Sequence, residues 1–244
     1  MKFRKIVLLV AVFFAQISYA WFSFDVETGV LSTTYNNIRI PGDTGTKFSL
    51  CDDLEDDPVF FYRLRLNYLL KEKHFFSLLY APLTIESSGS LDKDLIYRET
   101  TFPADTPLEA SYTFNSYRLT YRYEWIKRDK WEFGLGFTAK IRDAEIKVTG
   151  GGETEGKKNI GFVPIINFRF FYKPLDNFGI LLEGDALAAP QGRAEDVLAA
   201  GVYKHNDNLS IKAGYRILEG GADNDEGYTF SLINYAVLGI TYNF

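Results

Sequence analysis

The sequence predicts an all-β fold: a single transmembrane antiparallel up-and-down β-barrel of about ten strands. Three observations predict it. Segments of strict apolar–polar alternation recur along the 244 residues, and a period of two marks a strand with one face out of water. The linkers between these segments are long and short in turn. Beyond the N-terminal segment, no run approaches the roughly 18 apolar residues of a spanning helix. A chain that crosses lipid without such a helix must pair its backbone between strands and close on itself.

The first strand falls near 22–33, with Phe22, Phe24, Val26, Thr28 and Val30 on one face. A long polar stretch, 34–57, follows. The second, near 58–70, sets Phe60, Tyr62, Leu64, Leu66 and Tyr68 against Arg63, Arg65 and Asn67. Lys71 to His74 form a tight turn into a third strand near 75–86, where both faces are apolar. After a second long stretch, 87–110, the fourth strand alternates most regularly: Tyr117, Leu119, Tyr121, Tyr123 and Trp125 oppose Ser116, Arg118, Thr120, Arg122 and Glu124. Lys127 to Lys130 turn into a fifth, with Trp131, Phe133, Leu135, Phe137 and Ala139 on one face and Glu132, Gly134, Gly136, Thr138, Lys140 and Arg142 on the other.

Gly150-Gly151-Gly152 reads as a flexible loop. Strands six and seven, near 160–173 and 178–188, join at Pro174 to Asn177. Strand eight, near 195–204, turns at His205 to Asn208 into strand nine, near 209–218. Glu219 to Gly227 read as a polar loop, and the last strand runs from about 228 to Phe244. Pro82 and Pro164 each remove a ladder donor and predict a bulge or strand end. If the third and eighth segments are not strands, the count falls to eight.

The last strand alternates Ala236, Leu238, Ile240, Tyr242 and Phe244 with Tyr235, Val237, Gly239, Thr241 and Asn243. This ending resembles the C-terminal strand of Gram-negative outer-membrane β-barrels. The resemblance implies a cell outer-membrane location and makes Tyr242 and Phe244 the signal read by the barrel-assembly machinery. It also implies outer-membrane lipid and lipopolysaccharide as partners, a monomer, and both termini in the periplasm. Long loops outside and short turns inside fit that plan. The N-terminus agrees: Lys2, Arg4 and Lys5 precede an apolar Ile6–Ala15 run and Ser18-Tyr19-Ala20, the n/h/c pattern of a cleaved signal. The expected division is signal peptide 1–20 and barrel 21–244. No Cys follows the cleavage site, which argues against a lipoprotein anchor. The same alternation suits a soluble sandwich or lipocalin-like barrel with its apolar face inside. Strand length, the aromatic strand ends Trp125, Trp131, Tyr172 and Phe178, and the terminal Phe favour the membrane.

Composition narrows function. Residues 21–244 carry 24 basic and 32 acidic residues, a net of −8. That excludes nucleic acid, which demands a basic footprint. Cys51 is the single cysteine. It lies in a polar stretch, an exposed loop thiol with no nearby cation to make it catalytic.

With the apolar face in lipid, the other face lines a lumen. It carries Arg63, Arg65, Arg118, Arg122, Lys140, Arg142, Arg169, Lys212 and Arg216 against Asp25, Glu27, Glu124, Glu132, Glu183 and Asp185. Reflection about Pro174–Asn177 places Arg169 opposite Glu183 and Asn167 opposite Asp185. Reflection about Lys127–Lys130 places Arg122 beside Gly134 and Gly136, where a guanidinium has room. A narrow barrel fills its interior with such side chains, so a plugged lumen and a structural or surface-interaction role are expected. The alternative is a narrow, mildly anion-preferring, porin-like channel.

Charged clusters gather where odd strands end: Arg142 to Glu145, Glu183 to Asp185, Gln191 to Asp196, and Glu219 to Gly227. Asp143, Glu183, Asp185 and Glu195 are the candidates for a water-activating carboxylate pair. Asp223, Asp225 and Glu226 have the oxygen-rich alternation that suits Ca²⁺, without EF-hand spacing. No other cofactor is expected. Enzymatic outer-membrane barrels use a histidine with a carboxylate or serine near the outer leaflet. The two histidines here, His74 and His205, fall in turns expected at the opposite end, so a non-enzymatic protein is expected.

Overall fold

A computed structural model describes residues 20–190 and 192–244. The expected signal, apart from Ala20, lies outside the described residues, as does Gln191.

All regular structure among the described residues is strand. β1 (Ala20–Arg39) leads to short β2 (Phe48–Ser49) and β3 (Glu55–Asp56). β4 (Val59–Leu70) turns into β5 (His74–Ala81), which resumes as β6 (Thr84–Gly89) after the break at Pro82. A small hairpin, β7 (Leu95–Tyr97) and β8 (Thr100–Phe102), precedes β9 (Leu108–Lys127) and β10 (Trp131–Gly150). Then come β11 (Glu153–Leu175), β12 (Phe178–Ala189), β13 (Gly192–Lys204), β14 (Leu209–Asn224) and β15 (Gly227–Asn243). Sequential antiparallel pairing runs β1–β4–β5–β9–β10 and on through β15, which pairs back to β1. The sheet is therefore closed, a barrel of ten long strands in which every long strand is paired on both sides over at least part of its length.

The outer face is apolar. Phe60 is 83% exposed, Phe137 69% and Phe162 68%. A continuous band of such side chains is solvated by lipid, not water. Aromatics frame it. Tyr123 and Trp125 pack at 5.2 Å and Trp131 stacks on Tyr172 at 4.2 Å near the end that holds both termini. Tyr80 stacks on Tyr117 at 5.3 Å toward the other, loop-bearing end. Tyr62 and Tyr68 bracket the band on β4, about 20 Å apart at the rise of a strand.

Both expected reflections hold. Arg169 pairs with Glu183, Asn167 with Asp185, and Arg122 with Gly136. A Cβ at Gly134 would lie 2.8 Å from Arg122 Cδ, and one at Gly136 would collide with the Tyr121 carbonyl. Glycine there lets the Arg122 stem fold flat along the wall.

The loop end differs from expectation. Residues 142–160 are not a loop: β10 and β11 continue as a tall hairpin to Gly150–Glu153, and the triple glycine makes a tight turn with Gly151 and Gly152 at positive φ (58° and 88°). Glu219–Gly227 likewise extends β14 and β15, turning only at Asp225-Glu226. The stretches 34–57 and 87–110 are not simply polar. Phe48, Leu50, Leu54, Leu91, Leu95 and Phe102 are buried and pack with Ile38, Leu108, Ile146 and Val148 into an apolar cap. A bulge between Thr33 and Tyr35 reverses the facing of β1, which turns Asn36 and Ile38 inward beneath that cap.

Pro164 ends no strand. β11 runs through it, paired to β10. Lys173 N–H donates to Lys130 O at 2.9 Å, so odd residues of β11 serve β10 and even residues face β12. Pro164 is even and has no N–H. The β11–β12 ladder stops just there, its last pair being Ile166 with Ala186. Toward the loop end, no ladder joins the two strands.

Heat-modifiable gel migration in detergent tests the closed barrel: the unheated protein is expected to run as a distinct folded band. Gly136→Val is expected to lower the urea concentration at which that band disappears, because the new side chain meets backbone across the β9–β10 pair.

Candidate functional site

The alternation that sends apolar side chains outward sends the intervening charges inward, and a narrow barrel brings them together. They form a belt about two carboxylates. Asp196, on β13, accepts from Arg216 at 2.5 Å and Arg63 at 2.9 Å, and forms an ion pair with Arg118 at 2.6 Å. Glu27, on β1, meets Lys212 at 2.6 Å and Arg216 at 2.8 Å. All six are almost wholly buried. A third group spans the barrel: Arg65 of β4 donates to Glu183 of β12, halfway round the circle, at 2.8 Å. Arg118 also reaches Asp185 at 2.7 Å, while Thr138 and Asn167 donate to the other oxygen of Asp185 at 2.6 and 2.8 Å. Arg122 bonds Glu124 at 2.9 Å, and Arg169 bonds Glu132 at 2.7 Å. Lys212 also bonds Asp25 at 2.9 Å.

Buried ions demand such partners. Two voids among these groups measure about 10 and 20 Å³, room for single waters.

Toward the loop end the belt gives way to a cavity of about 350 Å³. Its walls are mainly apolar: Tyr112, Phe114, Ile146, Val163, Leu187 and Leu218. Lys140 and Arg142 are part of its lining, as are Glu145, Lys157, Arg193, Glu219 and Glu226. On one side the wall dips. β12–β13 stops at Ala189–Gly192, while the hairpins flanking it stand taller and meet above the dip, Lys157 Nζ donating to Glu226 O at 2.8 Å.

The carboxylate candidates are not brought together. Glu183 and Asp185 face the lumen, each held by an arginine. Asp143 and Glu195 lie on alternate positions that face outward, and Asp143 contacts Lys158 at 3.3 Å. Glu226 is engaged by Lys157 and Asp223 lies 4.0 Å from Arg39, while the Asn224 amide oxygen accepts from the Glu226 and Gly227 N–H groups. Among the described residues no group of three or more His, Cys, Asp or Glu is placed to hold a metal ion. His74 opens β5 beside the turn from Leu70, and His205 sits in the β13–β14 turn, so both lie at the end opposite the cavity.

Cys51 is half-buried rather than exposed, its Sγ 3.6 Å from Ser49 Oγ, and burial raises its thiol above the ordinary value. The residue that sequence reasoning missed is Asp196. It closes the rim cluster Gln191 to Asp196 in the sequence, yet the two-residue alternation back from the His205 turn, through Leu198 and Ala200, sets it inward.

A closed antiparallel barrel, apolar outside and charged inside, is the fold of an outer-membrane β-barrel protein. The outer membrane protease OmpT from Escherichia coli is similar to this chain over 92% of it and 97% of OmpT, with a TM-score of 0.55 and 11% identity. The autotransporter NalP translocator domain from Neisseria meningitidis matches 92% of this chain and 88% of its own, at 10% identity and a TM-score of 0.44. Ail, the attachment invasion locus protein of Yersinia pestis, solved with the heparin analogue sucrose octasulfate, matches 91% and 99%, at 10% identity and a TM-score of 0.43. Identities this low speak to the fold alone. No protein-family model and no curated protein matches the chain.

Asp196→Asn leaves three buried guanidinium groups short of their shared anion. It is expected to cost about 3–5 kcal/mol, read as the urea midpoint of the folded band. Glu72→Gln, which removes an exposed pair with Lys127, is expected to cost under about 1 kcal/mol. A raised thiol pKa means less thiolate at any given pH. Alkylation of Cys51 by iodoacetamide is therefore expected to lag that of free cysteine and to accelerate at a higher pH.

Proposed function

We propose that this protein resides in the outer membrane, termini toward the periplasm, as a barrel whose lumen is closed to solutes and whose role is binding at its loop end. One observation carries the reading. The Asp196 and Glu27 belt ties β1, β4, β9, β13 and β14 together across the interior, and the sizeable lumenal cavity lies on its loop side. Moving an ion through would require breaking several buried, short charge-assisted bonds at once, each far stronger than an exposed pair. Hydrolysis finds less support, because the four candidate carboxylates divide between two faces of the wall and no histidine is near the cavity. The surface-interaction role follows from what is left: a cap of ordered loops beside a mainly apolar hollow lined in part by Lys140 and Arg142.

Reconstitution into planar bilayers tests the closed lumen. The expected record at neutral pH is a baseline without stable steps. Reproducible open conductance steps would overturn the reading in favour of a channel.

A further inference from the structure

Two cations within the barrel stand outside the pattern of the belt. Lys140 and Arg142 project inward from β10, two positions apart. Arg63, Arg118 and Arg216 each hold a carboxylate, but neither Lys140 nor Arg142 has an ion pair among the described residues. Lys140 is only 4% exposed, and its Nζ lies 4.6 Å from the centre of the Phe114 ring. Arg142 donates to Asn159 Oδ1, while its Nε is buried with no acceptor. A buried ammonium facing an aromatic ring recovers part of its lost hydration, but an anion would recover far more.

The space beside them is not suited to a small hydrated anion, because most of its wall is apolar; its remaining charged lining, Glu145, Lys157, Arg193, Glu219 and Glu226, includes the pairs Lys157–Glu226 and Arg193–Glu219. It also adjoins lipid. Val163 is the cross-strand partner of Lys140 and immediately precedes Pro164, where the β11–β12 ladder ends. Val163 on one side of that unladdered seam and Leu187 and Ala189 on the other all line the cavity. On the outer face of the same stretch, Phe162, 68% exposed, lies at the loop-end margin of the lipid-facing band, level with Ile141 and Tyr117. The two cations, the mainly apolar hollow and the lipid-facing surface therefore meet at one place in the wall.

We propose that this cavity binds a single-chain amphiphile, its anionic head on Lys140 and Arg142 and its acyl chain against Phe114, Val163, Leu187 and Leu218. A volume of about 350 Å³ is at the small end for ligand pockets, which favours one chain over two. The head is a carboxylate or a phosphate monoester or diester, matching a free fatty acid or a lyso-lipid. The proposal deepens the binding role given above, and the two fail separately. Conductance would overturn the closed lumen, whereas failure to hold an amphiphile would overturn only the ligand class.

The test uses the full chain in phosphatidylcholine nanodiscs, with dansylundecanoate as the fluorescent probe and empty nanodiscs as the blank. Saturable, blue-shifted emission is expected, displaced by palmitate or lysophosphatidylglycerol but at least tenfold more weakly by hexadecanol, which has the chain without the charge. Stronger displacement by palmitate assigns a fatty acid, and stronger displacement by lysophosphatidylglycerol assigns a lyso-lipid. Lys140→Met is expected to weaken the probe at least tenfold, and Ala194→Trp, which fills the hollow, to abolish saturable binding, both with the folded gel band intact. Emission no different from the blank would overturn the proposal. So would equal displacement by hexadecanol, a readout that needs no variant.

Discussion

Asp196 is the side chain on which most of the interior depends. It lies on β13, yet its two oxygens gather guanidinium groups from β4, β9 and β14. In water an ion pair of this kind contributes little. Inside the barrel the alternative to pairing is a bare buried charge, which is far worse. The constraint is set by the outside. Lipid demands apolar residues at every second position of every strand, and the remaining positions face the lumen. Glu27 works in the same way from β1, sharing Arg216 with Asp196. The two carboxylates thus lock strands that are not hydrogen-bonded neighbours, a role that the ladders themselves cannot fill.

The wall was legible in the sequence and the cross-lumen contacts were not. Alternation identified Phe60, Tyr62 and Leu66 as outward and Arg63 and Arg65 as inward, and turns placed Arg169 against Glu183 in register. Reflection about a turn finds only the adjacent strand. Arg169 in fact bonds Glu132, and Glu183 is taken by Arg65 from halfway round. Which partner wins depends on the diameter and stagger of the closed barrel, which no single hairpin encodes. The loop end misled for another reason. Above the lipid both faces of a strand are free to be polar or mixed, so 142–160 and 219–227 lost their period while keeping their pairing. The apolar cap was hidden similarly, since Phe48, Leu50 and Leu54 are scattered among acidic residues and carry no regular spacing.

Two local departures have one consequence. Pro164 withholds a donor and ends one ladder, and Lys140 with Arg142 leaves positive charge uncompensated one strand away. In the belt, every arginine lies beside a carboxylate. At the seam, charge is unspent and pairing is relaxed. That contrast separates the paired belt from the cavity on its loop side, where the proposed binding site lies.

The claim that the belt acts as one coupled unit is tested most directly by a double-mutant cycle between Asp196 and Arg118, using Asp196→Leu and Arg118→Met and reading the urea midpoint of the folded band. A coupled buried pair predicts that the double variant loses less than the sum of the two single losses, with an interaction energy of about 0.5–3 kcal/mol, although Arg63 and Arg216 still lack their anion in it. Losses that add to within about 0.5 kcal/mol would contradict it, and would mean that the barrel stands on its ladders and its lipid-facing surface alone.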